Sequence, residues 1–277
     1  MKLHFLKVNP SGNTTVFVLD PIPREQYAKV AGKIMQQCCV GAEQVGFIGE
    51  ATILYAVGRM DMAGGEFCGN ASRSFAAWMA LKDETGLDVH NFREVERKVI
   101  IEVSGYKGTL EASLGNLDAD NKCIASVSMP IPKRILRGTD RYFGRYSLVI
   151  FEGISHLILW GRDPKDGDIQ AAQAFLAAQG ADFSSFGIMY YSYETNFMRP
   201  VVYINAAQTL VWENSCGSGS CALAASLADQ QQAGISALTL HQPGGDLTVD
   251  VVWEQGIKDI VLSGVVEITA IGIAYID

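Results

Sequence analysis

Apolar and polar residues alternate along the chain in short runs that are broken by glycine, proline and asparagine. Twice this strand pattern gives way to a helical run almost free of charge. Residues 5–8 alternate and predict a strand, Asn9-Pro10-Ser11-Gly12-Asn13 a turn, and residues 14–19 the next strand. Residues 24–39 carry apolar side chains at Tyr27, Val30, Ala31, Ile34 and Met35, which is helical spacing. Residues 44–48 and 51–57 predict two more strands. A turn at Gly64-Gly65 then leads to Cys68 and an apolar helix over 72–81. Strands over 99–103 and 108–112, joined through Gly105, close the first half.

The second half repeats this order. Strands over 147–151 and 156–160 flank a turn at Gly153-Ile154-Ser155, and a helix follows over 169–179. Strands over 187–191, 200–204 and 209–212 lead to Cys216 and an apolar helix over 220–228. Residues 238–240 and 247–252 enclose the turn Gln242-Pro243-Gly244-Gly245-Asp246. Cys68 and Cys216 lie about half a chain apart, so the pattern reads as an internal duplication. The predicted fold is α/β, with two pseudo-symmetric halves, each a curved, mostly antiparallel sheet around one hydrophobic helix. Residues 1–125 form the first half and 126–264 the second. The crossover falls within 118–144, a stretch that holds Pro130 and Pro132. The final strand, 265–277, has no counterpart at the end of the first half and is expected to cross back to complete the first sheet.

The two cysteines carry the candidate chemistry. Each precedes a glycine and a small polar residue, Gly69-Asn70 and Gly217-Ser218, at the mouth of a buried helix. A helix start offers unpaired N–H groups and partial positive charge, which bind an anion and lower a thiol's pKa. One such motif is most simply a buried thiol beside a tight turn; two at half-chain spacing are hard to explain by packing. Removing a proton from one face of a carbon and delivering one to the other suits a thiolate and a thiol, because the cysteine pKa of about 8.5 is within reach of neutrality. Cys38, Cys39, Cys123 and Cys221 read as small packing residues. Their spacing suggests neither a disulfide framework nor a metal site.

Composition narrows the class. Hydrophobic residues make up 48% of the chain and charged residues 19%, a globular composition with ample core material. The net charge of −8 argues against a nucleic-acid surface. No apolar run is long enough to span a membrane, and the first residues soon meet Asn9-Pro10, so a cytoplasmic protein without a signal peptide is expected.

The motifs Ser11-Gly12-Asn13, Cys68-Gly69-Asn70, Cys216-Gly217-Ser218-Gly219 and Pro243-Gly244-Gly245-Asp246-Leu247 resemble those of the diaminopimelate epimerase superfamily, the cofactor-independent amino-acid racemases. The resemblance covers essentially the whole chain. It implies two α/β halves with the active site in the cleft between them, Cys68 and Cys216 as the thiol pair, an amino-acid substrate, no cofactor and a homodimer. It also implies that Asn13 and Asn70, with the backbone of Gly69, Gly217 and Ser218, hold the amino-acid head, and that Glu213 faces its ammonium. Diaminopimelate epimerases carry Gly-Asn-Pro-His in the second-half turn and Glu-Arg before the second cysteine. Here these are Gly153-Ile154-Ser155-His156 and Glu213-Asn214, so the grip on a distal carboxylate is missing. Longer runs, Lys7-Val8-Asn9-Pro10-Ser11-Gly12-Asn13, Cys38-Cys39, Glu43-Gln44-Val45-Gly46-Phe47-Ile48, Glu66-Phe67-Cys68-Gly69-Asn70-Ala71 and Glu213-Asn214-Ser215-Cys216-Gly217-Ser218-Gly219-Ser220, are similar to the histidine racemases of opine-metallophore pathways.

The remaining polar residues divide. Glu43, at the edge of a predicted buried strand, is favoured as a ligand for the substrate ammonium or imidazole. Glu66 is evenly balanced between that role and a turn. His156 reads as a satisfied core histidine, Arg73 as a residue that could as easily face solvent, and Tyr190, Tyr191 and Tyr193 as core or sheet surface. Two other classes stay open, a proton-shifting isomerase of unsaturated acids and a non-catalytic small-molecule binder. The asparagines speak against the first and the paired thiols against the second.

Overall fold

A computed structural model describes residues 1–82, 97–180, 185–204 and 209–277. The chain divides into two compact units, residues 1–128 with 263–277 and residues 129–262.

In the first unit, β1 (Lys2–Asn9) and β2 (Thr15–Val18) form an antiparallel pair. A short 3-10 turn and α1 (Tyr27–Ile34) carry the chain to β3 (Gln44–Gly49), which runs parallel to β2. β4 (Arg59–Met62) returns antiparallel, and α2 (Gly69–Leu81) crosses over to β5 (Arg97–Val103), parallel to β4. β6 (Thr109–Leu114) and β7 (Lys122–Ser128) complete an antiparallel meander. Both parallel joins need a crossover, and a helix supplies each.

The second unit repeats the scheme. β8 (Arg134–Asp140), β9 (Gly144–Ile150) and β10 (Ser155–Trp160) are antiparallel neighbours. α3 (Asp168–Ala178) leads to β11 (Ser185–Ser192), parallel to β10, and β12 (Phe197–Ile204) returns beside it with β13 (Thr209–Trp212) on its flank. α4 (Gly217–Gln231) then crosses to β14 (Ile235–Gln242), and β15 (Gly245–Trp253) pairs with that strand. The last strand, β16 (Ile257–Tyr275), serves both units. Its later part lies between β7 and β1, with Ser263 Oγ bonded to Ser126 Oγ at 2.8 Å and Lys2 opposite Tyr275. The first unit's strands therefore close into a ring.

α2 and α4 are buried on nearly every face, as their charge-free middles require. α1 and α3 are one-sided. Val30, Ala31 and Ile34 pack on Leu3, Val16, Val45 and Phe47, and Ala172 and Leu176 pack on Leu148, Leu157, Phe186 and Ile188.

Three local expectations are corrected. The helix expected over 24–39 stops at Ile34, where Gly41, at φ +68°, returns its N–H to the Ile34 carbonyl. Cys38 and Cys39 consequently sit exposed in a turn and are not packing residues, whereas Cys123 and Cys221 are buried. Residues 51–57 form no strand. Buried Glu102 accepts the Thr52 N–H at 2.6 Å and its hydroxyl at 2.7 Å, and this turns the apolar run outward, leaving Leu54 and Tyr55 exposed. The first unit passes into the second within 118–144, between β7 and β8. β16 passes from the second unit into the first.

Two tests follow from this packing. Phe75 of α2 is fully buried and meets Phe17 edge-on at 6.2 Å between ring centroids, so Phe75→Ala should cost about 3–5 kcal/mol in denaturant unfolding. His156 of β10 is fully buried, and burial pushes its pKa down to about 3. A depressed histidine stabilises the fold above its unfolded pKa of about 6.5, and that stability is lost as pH falls towards the folded value, by at most about 1.4 kcal/mol per pH unit. His156→Gln should flatten the loss of thermal stability between pH 6.5 and 4.5; an unchanged slope would assign the acid limb to other groups.

Candidate active site

Each unit places one cysteine at the same structural point. Cys68 caps α2 with φ −135° and ψ 112°, and Cys216 caps α4 with φ −122° and ψ 106°. Both are extended residues at the first turn of a buried helix, where backbone N–H groups lack intrahelical partners. The carbonyl of each cysteine is tied by the serine four residues on, Ser72 Oγ and Ser220 Oγ, each at 2.7 Å. The carbonyl two residues before each cysteine is pinned by the hairpin that follows the helix. Ser104 Oγ donates to Glu66 O at 2.8 Å, and Gly244 N–H donates to Asn214 O at 2.8 Å. Gly105 allows this in the first unit, because a Cβ on it would lie 2.2 Å from the Phe67 nitrogen.

Around Cys68, the structure gathers most of the residues singled out in the first half. The sulfur accepts the Ala71 N–H at 3.4 Å and bonds the Gln44 side-chain oxygen at 3.1 Å. The Thr14 carbonyl takes the N–H groups of both Glu43 and Gln44, so the turn holding Asn13 lies against the start of β3. Asn13, Gly69 and Asn70 are buried, and Glu43 is half-buried. Arg73 does not face solvent. It is fully buried, and its Nη2 donates to Asn70 Oδ1 at 3.0 Å, which fixes the orientation of that amide. Glu66 is exposed in the turn, where its carboxylate folds towards Gly64.

Around Cys216, burial dominates. Burial pushes the thiol well above its ordinary range, and the charge of Glu213, whose carboxylate is hydrogen-bonded to it, adds to the rise. The Gly219 N–H and the Ser218 hydroxyl pull the other way and are outweighed. The helix start thus does not lower this thiol, contrary to the simple expectation. Ser218 Oγ lies 3.7 Å from the sulfur and 2.9 Å from His156 Nε2, so the histidine is a core residue that also reaches the cysteine's neighbour. Gly187 makes room for it, since a Cβ there would meet His156 Nδ1 at 2.6 Å. Gly219 is equally constrained, with Met189 Sδ 2.2 Å and Cys216 Sγ 3.2 Å from its would-be Cβ. Tyr190 and Tyr191 are buried in the sheet, and Tyr193 is exposed.

Two glutamines escaped the sequence reading. Gln44 was visible only as the polar first residue of an apolar strand. Gln242 is buried and bonds the Cys216 N–H at 2.8 Å. Its signal was phase, because it alternates with Leu240 on the inward face of β14. Among the described residues no group of three or more histidine, cysteine or acidic side chains could hold a metal ion, and no helix is long and apolar enough to cross a membrane.

The family model for the histidine racemase CntK N-terminal domain matches residues 2–275. A histidine racemase of Fusobacterium nucleatum subsp. nucleatum is 33% identical over 280 residues, spanning 99% of this chain and 97% of that protein. A histidine racemase of Staphylococcus aureus (strain Mu50) is 28% identical over 292 residues, spanning 99% and 98%. The crystal structure of a probable proline racemase from Agrobacterium radiobacter K84, with bound carbonate, shares the fold with a TM-score of 0.68 at 13% identity, over 99% of this chain and 93% of that one. The chain belongs to the histidine racemase family and is an isomerase of the racemase class.

Proposed function

We propose that the protein interconverts L- and D-histidine through Cys68 and Cys216, without an added cofactor. What carries this reading is the repeated N-cap cysteine, with the same serine grip in both units, in a chain of the histidine racemase family. One cysteine, as thiolate, takes the Cα proton from one face. The electron pair left on Cα delocalises into the substrate carboxylate, and the other cysteine, as thiol, donates its proton to the opposite face. The two have then exchanged roles. Cys216, buried and hydrogen-bonded to Glu213, suits the protonated role for one enantiomer, and for the other Cys68 starts as the thiol.

Gln44 suits either state of Cys68. Its oxygen accepts from the thiol, and an amide turned by half a rotation would donate to the thiolate. Asn13 and Asn70, with the backbone of Gly69, Gly217 and Ser218, hold the amino-acid head. Helix-start N–H groups stabilise the charge that develops on the carboxylate. Glu43 and Glu213 answer the ammonium and imidazole. The proposal extends to a homodimer supplying D-histidine to opine-type metallophore synthesis.

Circular dichroism of L-histidine incubated with the pure protein should decay to zero, whereas LL-diaminopimelate keeps its signal. Decay with diaminopimelate alone would overturn the substrate, and no decay with any amino acid would overturn the class. Cys68→Ser and Cys216→Ser should each lower racemisation by at least about a hundredfold, while Cα–H exchange in heavy water survives for one enantiomer and differs between the two variants. Unimpaired racemisation in either would refute the two-thiol scheme. Glu213→Gln removes a negative charge that raises the Cys216 pKa, so the alkaline limb of the pH–kcat/KM profile should move to lower pH.

A further inference from the structure

Gln242 stands outside every role given so far. It closes β14 with its side chain buried, 5% exposed, and it uses both ends of its amide. Oε1 accepts the Cys216 N–H at 2.8 Å, and Nε2 donates to Ser220 Oγ at 3.0 Å. Ser220 Oγ donates in turn to the Cys216 carbonyl at 2.7 Å. A closed circuit of hydrogen bonds therefore holds the peptide groups on both sides of the Cys216 Cα. On the sulfur side, the missing Cβ of Gly219 leaves the thiol its space, 3.2 Å from where that atom would stand.

Anchoring the loop does not require this glutamine. In the first unit the hairpin after the helix pins the loop through Ser104 and Glu66, and in the second the equivalent bond from Gly244 to Asn214 is already made. The Gln242 bonds are additional, and they converge on the residue that bears the thiol. A buried amide satisfied at both ends also resists being displaced, because each lost bond would strand a polar atom away from water.

We infer that Gln242 is a positioning residue, which sets the direction in which Cys216 presents its sulfur and proton. This rests on the reading of Cys216 as a reacting thiol. Gln242 bonds the N–H of Cys216 and, through Ser220, its carbonyl, so it acts through the cysteine's backbone.

Two substitutions test it. Gln242→Leu removes both hydrogen bonds at similar bulk. Gln242→Glu keeps the shape and the acceptor, loses the donor to Ser220 and sets a negative charge beside Cys216. The readouts are kcat and KM for histidine, and the pH dependence of iodoacetamide alkylation at Cys216 and Cys68, resolved by mass spectrometry. Gln242→Leu should lower kcat about tenfold or more with KM little changed. Gln242→Glu should move the Cys216 alkylation midpoint to higher pH and leave that of Cys68 in place. Unchanged Cys216 profiles, or equal shifts at both thiols, would overturn the inference. If the leucine variant fails to fold, the isosteric glutamate variant decides alone. If wild-type protein racemises no histidine, the proposed function falls, and the alkylation profiles still show whether Gln242 governs Cys216.

Discussion

A helix enclosed by sheet cannot leave its first N–H groups to water, and this constraint organises both units. The residue that caps such a helix must be extended, and something must hold its carbonyl. Here the cap is a cysteine and the holder is a serine one helical turn on, with the same 2.7 Å bond in each unit. The demand that shapes the helix start also places a polarisable sulfur beside a cluster of donors. Under the proposed scheme, packing and chemistry are met by the same few residues.

The repeat is faithful in its backbone and unequal in its side chains. Gly12, at φ +88°, and Gly153, at φ +81°, each stand three residues before equivalent positions, Thr15 in β2 and His156 in β10. Opposite these in the parallel register lie Gln44 and Gly187. In the first unit the glutamine reaches the sulfur directly. In the second, a glycine clears the way for a histidine that reaches Ser218 instead. A racemase handles two mirror-image substrates with a chiral protein, so under the proposed two-thiol scheme unequal surroundings for the two cysteines are chemically reasonable. The two binding modes of one side chain cannot be superposed.

The sequence showed clearly what depends on local pattern. Helical runs almost free of charge after Cys68 and Cys216 and the repeated strand order were enough to reach the fold class, and the glycine-rich turns around the cysteines led to the family. It misled where a distant partner decides. The run from Ala51 to Val57 has strand composition, yet Glu102, far along the chain, holds Thr52 and turns the run into an exposed loop. Arg73 could as easily face solvent by its pattern, and only its bond to Asn70 Oδ1 in the interior decides its place. At Cys216 burial outweighs the helix start and raises the thiol, which no local pattern reveals. Gln242 lay in plain alternation with Leu240, but only its two amide contacts distinguish it from any other turn-flanking polar residue.

The shared strand β16 bears on how the chain is made. The first unit's ring closes only when residues 263–275 lie beside β1, where Lys2 meets Tyr275. On a ribosome β1 and β2 emerge long before residues 263–275. Residues 129–262 are complete earlier, although they are synthesised later than most of the first unit. Contacts of such sequence separation form slowly and leave β1 with an open edge meanwhile. The half that is begun first is therefore finished last, and until then the edge of β1 stays open to pairing with other chains.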